Sequence, residues 1–387
     1  MPPTPGNRIT LLKNGAEFFP ALINAIDCAK RDIRIETYIF LDDETGQRIA
    51  AALQRAAQRG VAVHVLVDGL GSRETARTFF DNLRSSGARA LFFRPERGWL
   101  KFSKAELRRI HRKIALFDGE VGFIGGINLL DDMTDSLSAT HPRYDYSVKI
   151  EGPVLADMYD AVHQLWRVVA YLQLPRRQKT SPPPSVSRGA VGEMTALFVQ
   201  RDNVRHRRAI EHAYLAAIGT AREKVLIVSP YFLPGRKLRA SLAAAAQRGV
   251  KVTLLLQGLA DHPLLRLATH ALYSGLMTAG VIIHEYERAM LHAKVATIDD
   301  QWATVGSSNL DPFSLFLNRE ANLIVLDATF ATQLRQSIET EMADGAVERK
   351  NTDWQQRSRW QRFTTWFAYR LARAVSGWVG FKGERRE

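Results

Sequence analysis

Two stretches of this 387-residue chain repeat one another without slippage, which limits its fold to something built twice. The first runs His111-Arg-Lys113-Ile-Ala-Leu-Phe-Asp118 and continues to Gly125-Gly126-Ile-Asn128. The second runs His292-Ala-Lys294-Val-Ala-Thr-Ile-Asp299 and continues to Gly306-Ser307-Ser-Asn309. Both fit His-x-Lys-x4-Asp-x6-Gly-[Gly/Ser]-x-Asn. One His-x-Lys carries no information, but two copies in register over this length are not a chance event.

The repetition reaches well beyond the motif. Ile33-Arg-Ile-Glu36-Thr-Tyr38 alternates like a strand, a helical stretch runs from Gln47 to Gln58, and the apolar run Val61 to Val67 follows. The second half offers Lys224 to Ser229, a helix from Arg236 to Gln247, and Val250 to Leu256. Ala56-Ala-Gln-Arg-Gly-Val61 recurs unchanged as Ala245-Ala-Gln-Arg-Gly-Val250, and its Gly suits a helix C-cap. Each half therefore reads strand, helix, strand, helix, then a motif hairpin. Continuous apolar runs suit strands covered by helices on both faces. The expected fold is α/β: two similar halves, each a mixed sheet flanked by helices, related by a pseudo-twofold with the site at the seam. The expected divisions are 1–174, a Pro/Ser-rich linker at 175–190, 191–345, and a basic, Trp-rich tail at 346–387.

Strand geometry says what the motif can do. Residues two apart share a face, so His111 projects with Lys113 and His292 with Lys294. Asp118 and Asp299 fall at the hairpin turn with the wrong parity, and are expected to fix backbone more than to touch substrate. Pairing the halves would bring two His, two Lys, Asn128 and Asn309 to one seam, a site for phosphate. One neutral histidine could attack phosphorus, while a protonated one donates to the leaving oxygen. Cationic neighbours lower a histidine's pKa, so a carboxylate holding each ring is wanted. Asp145 and Glu320, which follow their motifs at comparable places, are the candidates. A metal centre fits poorly, because Lys is a poor ligand and no His/Asp/Glu set stands at ligand spacing.

With these residues the chain resembles the phospholipase D superfamily, from about Ile9 to about Glu341. Ile124-Gly-Gly-Ile-Asn128, Glu151-Gly-Pro153 and Trp302 to Ser314 are similar to bacterial cardiolipin synthases. The resemblance implies a two-lobed α/β fold, no cofactor, and phosphatidyl transfer between two phosphatidylglycerols with release of glycerol. It implies a catalytic set of His111, Lys113, Asp118, His292, Lys294 and Asp299, with Asn128, Asn309 and Ser307 toward phosphate. It makes His111 the attacker and His292 the acid/base, an order the residues alone do not derive. Gly126 stands where many members have the Ser that matches Ser307, which implies one fewer hydroxyl contact to phosphate.

The chain carries 53 Lys+Arg against 40 Asp+Glu, so a polyanionic partner is expected, either nucleic acid or an anionic membrane face. Two stretches favour lipid. Arg94 to Arg109 interleaves six Lys/Arg with Trp99, Leu100 and Phe102, and the tail from Asn351 holds four of the seven Trp. In that tail Trp360, Phe363, Phe367, Leu371, Ala374 and Trp378 step along one helix face flanked by Arg359, Arg362 and Arg373. The alternative is a tail that covers the protein's own core. No window reaches the roughly 18 consecutive apolar residues of a spanning helix, no signal peptide opens the chain, and a lone Cys28 excludes a disulfide framework. The expectation is a peripheral enzyme on the cytoplasmic face of the inner membrane. Its partners would be anionic phospholipid and phosphatidylglycerol, and no nucleic acid. Alternatives with the same chemistry are a phospholipase D, a transferase with phosphatidylethanolamine as donor or glycerol as acceptor, and a nuclease. A retired nucleic-acid-binding module would need a missing motif His or Lys, and none is missing.

Overall fold

The structure, a computed structural model, describes residues 2–95, 108–133, 141–174, 182, 184–186, 189–259, 262–355 and 358–380. The first half comprises β1 (Thr4–Lys13), α1 (Asn14–Cys28), β2 (Asp32–Thr37), α2 (Glu44–Gln58), β3 (Ala62–Asp68), α3 (Arg77–Ser85), β4 (Arg89–Phe93), β5 (Lys113–Phe117), β6 (Val121–Gly125), β7 (Tyr146–Glu151) and α4 (Leu155–Gln173). The second opens with β8 (Met194–Arg201), α5 (Ala209–Thr220), β9 (Lys224–Ser229), α6 (Arg236–Gln247), β10 (Lys251–Gln257), α7 (Pro263–Thr278) and β11 (Ile282–Tyr286). It continues through β12 (Val295–Ile298), β13 (Trp302–Gly306), α8 (Pro312–Phe316), β14 (Glu320–Leu326) and α9 (Ala328–Gly345). Last come β15 (Ala346–Arg349), α10 (Asn351–Gln355) and α11 (Arg359–Gly380).

The duplication seen in the sequence is a palindrome in the sheet. Outward from a β1–β8 junction, one arm runs β7, β6, β5, β2, β3, β4 and the other β14, β13, β12, β9, β10, β11, with β15 on the outer edge. β2–β3–β4 and β9–β10–β11 are parallel, as expected where a helix crosses between strands, and the motif strands add to them antiparallel. β15 pairs with β11, so residues Ala346 to Arg349 extend the second sheet, and the tail separates only after them.

The repeated hexapeptide acts as a helix stop in both halves. Val61 N–H donates to Ala56 C=O (3.1 Å) and Gly60 N–H to Ala57 C=O (2.9 Å), a Schellman cap with Gly60 at φ +90°. Val250, Ala245, Gly249 and Ala246 repeat it at 3.1 and 3.0 Å. The Arg of each copy reaches carbonyls at the end of the preceding helix, Arg59 to Ile26 and Arg248 to Ile218.

Four apolar clusters form among the described residues, the smallest setting Leu165, Trp166 and Val169 of α4 against Leu66, Leu91 and Ile110. One core lies between β-sheet and α1–α3, a second between sheet and α5–α7, and a third is shared by both halves. Ile114, Leu116 and Val148 from one half, Val295, Val305 and Leu323 from the other, and Met158 and Leu334 on α4 and α9 fill the shared core. Truncating any one of the Ile, Leu or Met side chains among these to Ala costs about 2–5 kcal/mol and loosens the seam that carries the site. The alternation read in β2 does not give a wet face. All six residues are buried, because Arg34 pairs with Asp32 (2.9 Å) and His163 of α4, and Glu36 pairs with Arg112.

Candidate active site

The two halves exchange residues at the seam. Ile110 bridges to Arg319, and His111 N–H donates to Arg319 C=O at 2.9 Å. In mirror fashion Leu291 bridges to Tyr144, and His292 N–H donates to Tyr144 C=O at 2.8 Å. The residue after each bridged partner is the carboxylate. Glu320 therefore faces His111, and Asp145 faces His292. His111 Nδ1 lies 3.0 Å from Glu320 Oε1 and 3.1 Å from Oε2, and His292 Nδ1 lies 2.6 Å from Asp145 Oδ2. With the carboxylate ionised and the imidazole neutral, Nδ1 carries the proton and Nε2 keeps the lone pair. Each dyad thus draws its imidazole from one half and its carboxylate from the other.

The lysines lie beside them. Lys113 Nζ donates to His111 C=O at 2.7 Å, and Lys294 Nζ donates to His292 C=O. Burial pushes Lys113 down to about 7, helped by the neighbouring Lys294 and opposed by Glu320. Burial likewise pushes Lys294 down to about 8, against Asp145 and Glu320. Burial lowers His111, which Glu320 opposes, and lowers His292 well below its ordinary value, with Lys294, Arg143 and Lys113 adding to the effect. Burial raises Asp145 to about 7 despite the nearby cations. A phosphodiester monoanion entering here would restore what burial removes, since it favours every positive charge around it.

The motif aspartates are not in this cluster. Asp118 accepts N–H bonds from Lys30 (2.7 Å), Arg31 and Asp32 (both 2.8 Å). Asp299 accepts from Arg222 (2.7 Å), Glu223 and Lys224 (both 2.9 Å). Both sit at positive φ, +55° and +51°, in turns closed by Glu120 N–H to Phe117 and by Gln301 N–H to Ile298. Five residue steps along the strand separate them from the lysines, about 16 Å at 3.3 Å per residue. They tie the hairpin turn to the start of the neighbouring strand, away from the histidine–lysine cluster.

Ser307 lies against Glu320. Its hydroxyl donates to Glu320 and accepts from Ala321 N–H at 3.1 Å, so it steadies the carboxylate rather than pointing to phosphate. Gly126, its counterpart, is where Asp145 sits: a Cβ there would lie 2.2 Å from Oδ1. The missing serine makes room for a carboxylate. Asn128 is buried and accepts from Ile39 N–H at 3.2 Å, whereas the buried Asn309 Oδ1 has no partner among the described residues.

Several residues at the site escaped the sequence reading. Tyr38 sits edge-on to His111 at 5.1 Å between ring centres, with Lys113 Nζ 5.6 Å from its ring. Arg143 acts electrostatically on both lysines, His292 and Asp145. Arg112, fully buried, clamps Glu36 with two nitrogens and donates to Ala161 C=O at 3.0 Å, fixing the backbone between His111 and Lys113. Trp99, Leu100 and Phe102 lie outside the described residues. Among the described residues no group of three or more His, Cys, Asp or Glu is placed to hold a metal ion.

Two mirrored α/β halves with a doubled His-x-Lys site define a phospholipase D-like protein. The phosphatidylserine synthase of Haemophilus influenzae Rd KW20 has the same fold, with a TM-score of 0.71 over 95% of this chain and 94% of that one at 17% identity. The family described as "Cardiolipin synthase, PLD-like domain" matches residues 22–166 and 214–342. Cardiolipin synthase B of Salmonella typhi is 39% identical over 97% of this chain and 90% of its own length. Cardiolipin synthase B of Escherichia coli strain K12 is 36% identical with the same coverage. The chain belongs to this cardiolipin synthase family.

Proposed function

We propose that the protein is a phosphatidyltransferase that makes cardiolipin from two phosphatidylglycerols through a phosphohistidine. The observation that carries this reading is the pair of crossed dyads, with Lys113 and Lys294 between them. The lysines and asparagines receive the phosphodiester of the donor lipid. In the order implied by the family resemblance, His111 Nε2 forms a bond to phosphorus while the bond to the headgroup glycerol oxygen breaks. The bound phosphodiester monoanion favours the imidazolium of His292, whose Nε2–H passes its proton to that oxygen, and glycerol leaves. The terminal hydroxyl of a second phosphatidylglycerol then gives its proton back to His292 and attacks phosphorus, and the P–N bond to His111 breaks. No residue in this scheme needs a metal or cofactor.

The relatives' names and the basic balance of the chain support an anionic membrane as the place of work, with the protein peripheral on the inner membrane's cytoplasmic face. No helix among the described residues is long and apolar enough to cross a membrane.

The test is the purified chain with vesicles of labelled phosphatidylglycerol, following cardiolipin, phosphatidic acid and glycerol together. Cardiolipin and glycerol should appear in equal amounts, and phosphatidic acid alone would make the protein a hydrolase. His111→Ala and His292→Ala should each abolish product with unchanged melting temperature; substantial turnover by both variants would refute the mechanism.

A further inference from the structure

Helix α11 is turned inside out for a helix that covers a core. Its inner face is made of small residues: Thr365 and Ala368 are buried, and Ala368, with Tyr369 and Ala372, packs into the apolar layer that holds Leu265 of α7 and Leu315 and Phe316 of α8. Its outer face is large and apolar, with Trp360 71%, Phe363 50%, Trp366 53%, Phe367 54% and Leu371 39% exposed. The rings form one ladder. Phe363 lies 5.7 Å from Trp360, 6.1 Å from Trp366 and 6.2 Å from Phe367 between centres. Folding leaves each of these rings at least half exposed, so burying them is not the main contact that holds the helix to the body. A monomer rarely leaves such a contiguous patch open without a partner for it.

Charge says which partner. The Arg370 guanidinium stands 5.6 Å from the Trp366 ring, on the stripe itself. From Asn351 to the end, eight Lys/Arg face three Asp/Glu, within a chain of net charge +13. Aromatic rings edged by arginine suit the boundary between lipid headgroups and acyl chains, where rings sink and guanidinium groups reach anionic phosphates. A second copy of the chain would bring the same positive charge to the contact.

Position ties the stripe to the site. α8, against which α11 packs, begins three residues after Asn309. The Tyr231 ring, just beyond β9 at the site end of the sheet, lies 5.3 Å from that of His262 at the start of α7. The helices that carry α11 thus begin at the site end of the sheet.

We propose that the outer stripe of α11 docks the protein on an anionic lipid bilayer, with the helix lying in the headgroup boundary beside the catalytic mouth. The helix is already folded against α7 and α8 and keeps its inner face on the protein while its outer face enters lipid. Docking itself needs only the stripe. The value of its position beside the mouth rests on the lipid-transferase reading.

The experiment uses the full chain and a Phe363→Ser, Trp366→Ser, Phe367→Ser variant, with an Arg370→Glu, Arg373→Glu variant beside it. Flotation is measured with phosphatidylglycerol/phosphatidylcholine vesicles and with phosphatidylcholine alone. Melting temperature, mass by light scattering, and turnover of a short-chain phosphatidylglycerol below its micelle concentration are read in parallel. The serine variant should bind anionic vesicles at least tenfold more weakly, with melting temperature, mass and short-chain turnover unchanged. The charge variant should lose the preference for anionic vesicles. Undiminished flotation of the serine variant overturns the proposal. So does a lowered melting temperature or a loss of dimer mass, which would make the stripe a protein contact. Normal docking by a chain that makes no cardiolipin would refute the transferase reading and leave the docking intact.

Discussion

Asp118→Asn separates a structural aspartate from a catalytic one. Asp118 Oδ1 accepts from Arg31 and Asp32 and Oδ2 accepts from Lys30, and the side chain is buried. Asparagine keeps one oxygen and tolerates the positive φ, so the backbone is not the variable. Two charge-assisted bonds become neutral ones, a loss of about 1 kcal/mol each. The third N–H meets an amide NH2 and goes unsatisfied, about 1–3 kcal/mol more. The sum, about 3–5 kcal/mol, corresponds to a fall in melting temperature of roughly 10 °C for a protein of this size. Differential scanning calorimetry reads the fall, and transfer is assayed well below the transition. kcat per folded molecule should stay within about twofold of the parent, since a reporter some 16 Å along the strand changes no charge at the phosphate. The reasoning is refuted by an unchanged melting temperature combined with a hundredfold loss of kcat. Asp299→Asn should fall less, because that carboxylate is more open to water.

The remaining predictions concern the dyads. Ser307→Ala should lower kcat about tenfold while leaving KM for phosphatidylglycerol unchanged, because the hydroxyl holds Glu320 and not the lipid; a KM effect alone would return it to the phosphate. Gly126→Ser, although it restores symmetry with the second motif, should cost more than Ser307→Ala, since its Cβ collides with the Asp145 carboxylate. Lys113 and Lys294 are pushed to about 7 and about 8, so each is charged below those values and neutral above them. kcat/KM, which reports the free enzyme, should therefore decline as pH rises through 7 to 8, and a profile flat to pH 10 would show that the lysines keep their ordinary values.

Much of this site was legible because the chain repeats itself. The shared face of His and Lys follows from strand parity, and the turn role of Asp118 and Asp299 follows from their opposite parity. The mirrored sheet follows from two copies of one element order. The crossing of the carboxylates was not legible: Asp145 and Glu320 stand at matching places, but which imidazole each meets depends on the bridges Ile110–Arg319 and Leu291–Tyr144 between halves. Ser307 looked like a phosphate ligand because the hydrogen bond that occupies it comes from another strand. Tyr38 and Arg143 were missed for a different reason. Pro230 and Asn318 occupy the corresponding places in the second half, so a search for duplicated residues passes over them. The tail was read as an amphipathic helix, yet the periodicity could not tell which of its faces meets the protein. The packing of Ala368 and Thr365 decides that.

The crossed dyads also set the moment at which the chain becomes reactive during its synthesis. His111 waits for a carboxylate 209 residues further along, and His292 for one made 147 residues earlier. An emerging chain can fold its first half, with its own helices and core, while both lysine-histidine pairs are incomplete. The His292–Asp145 pair can close once β12 has emerged, but His111 meets no carboxylate until Glu320 and β14 have left the ribosome and closed the seam. Any version of the chain that stalls or is cut before Glu320 therefore lacks the complete pair of dyads by its topology alone.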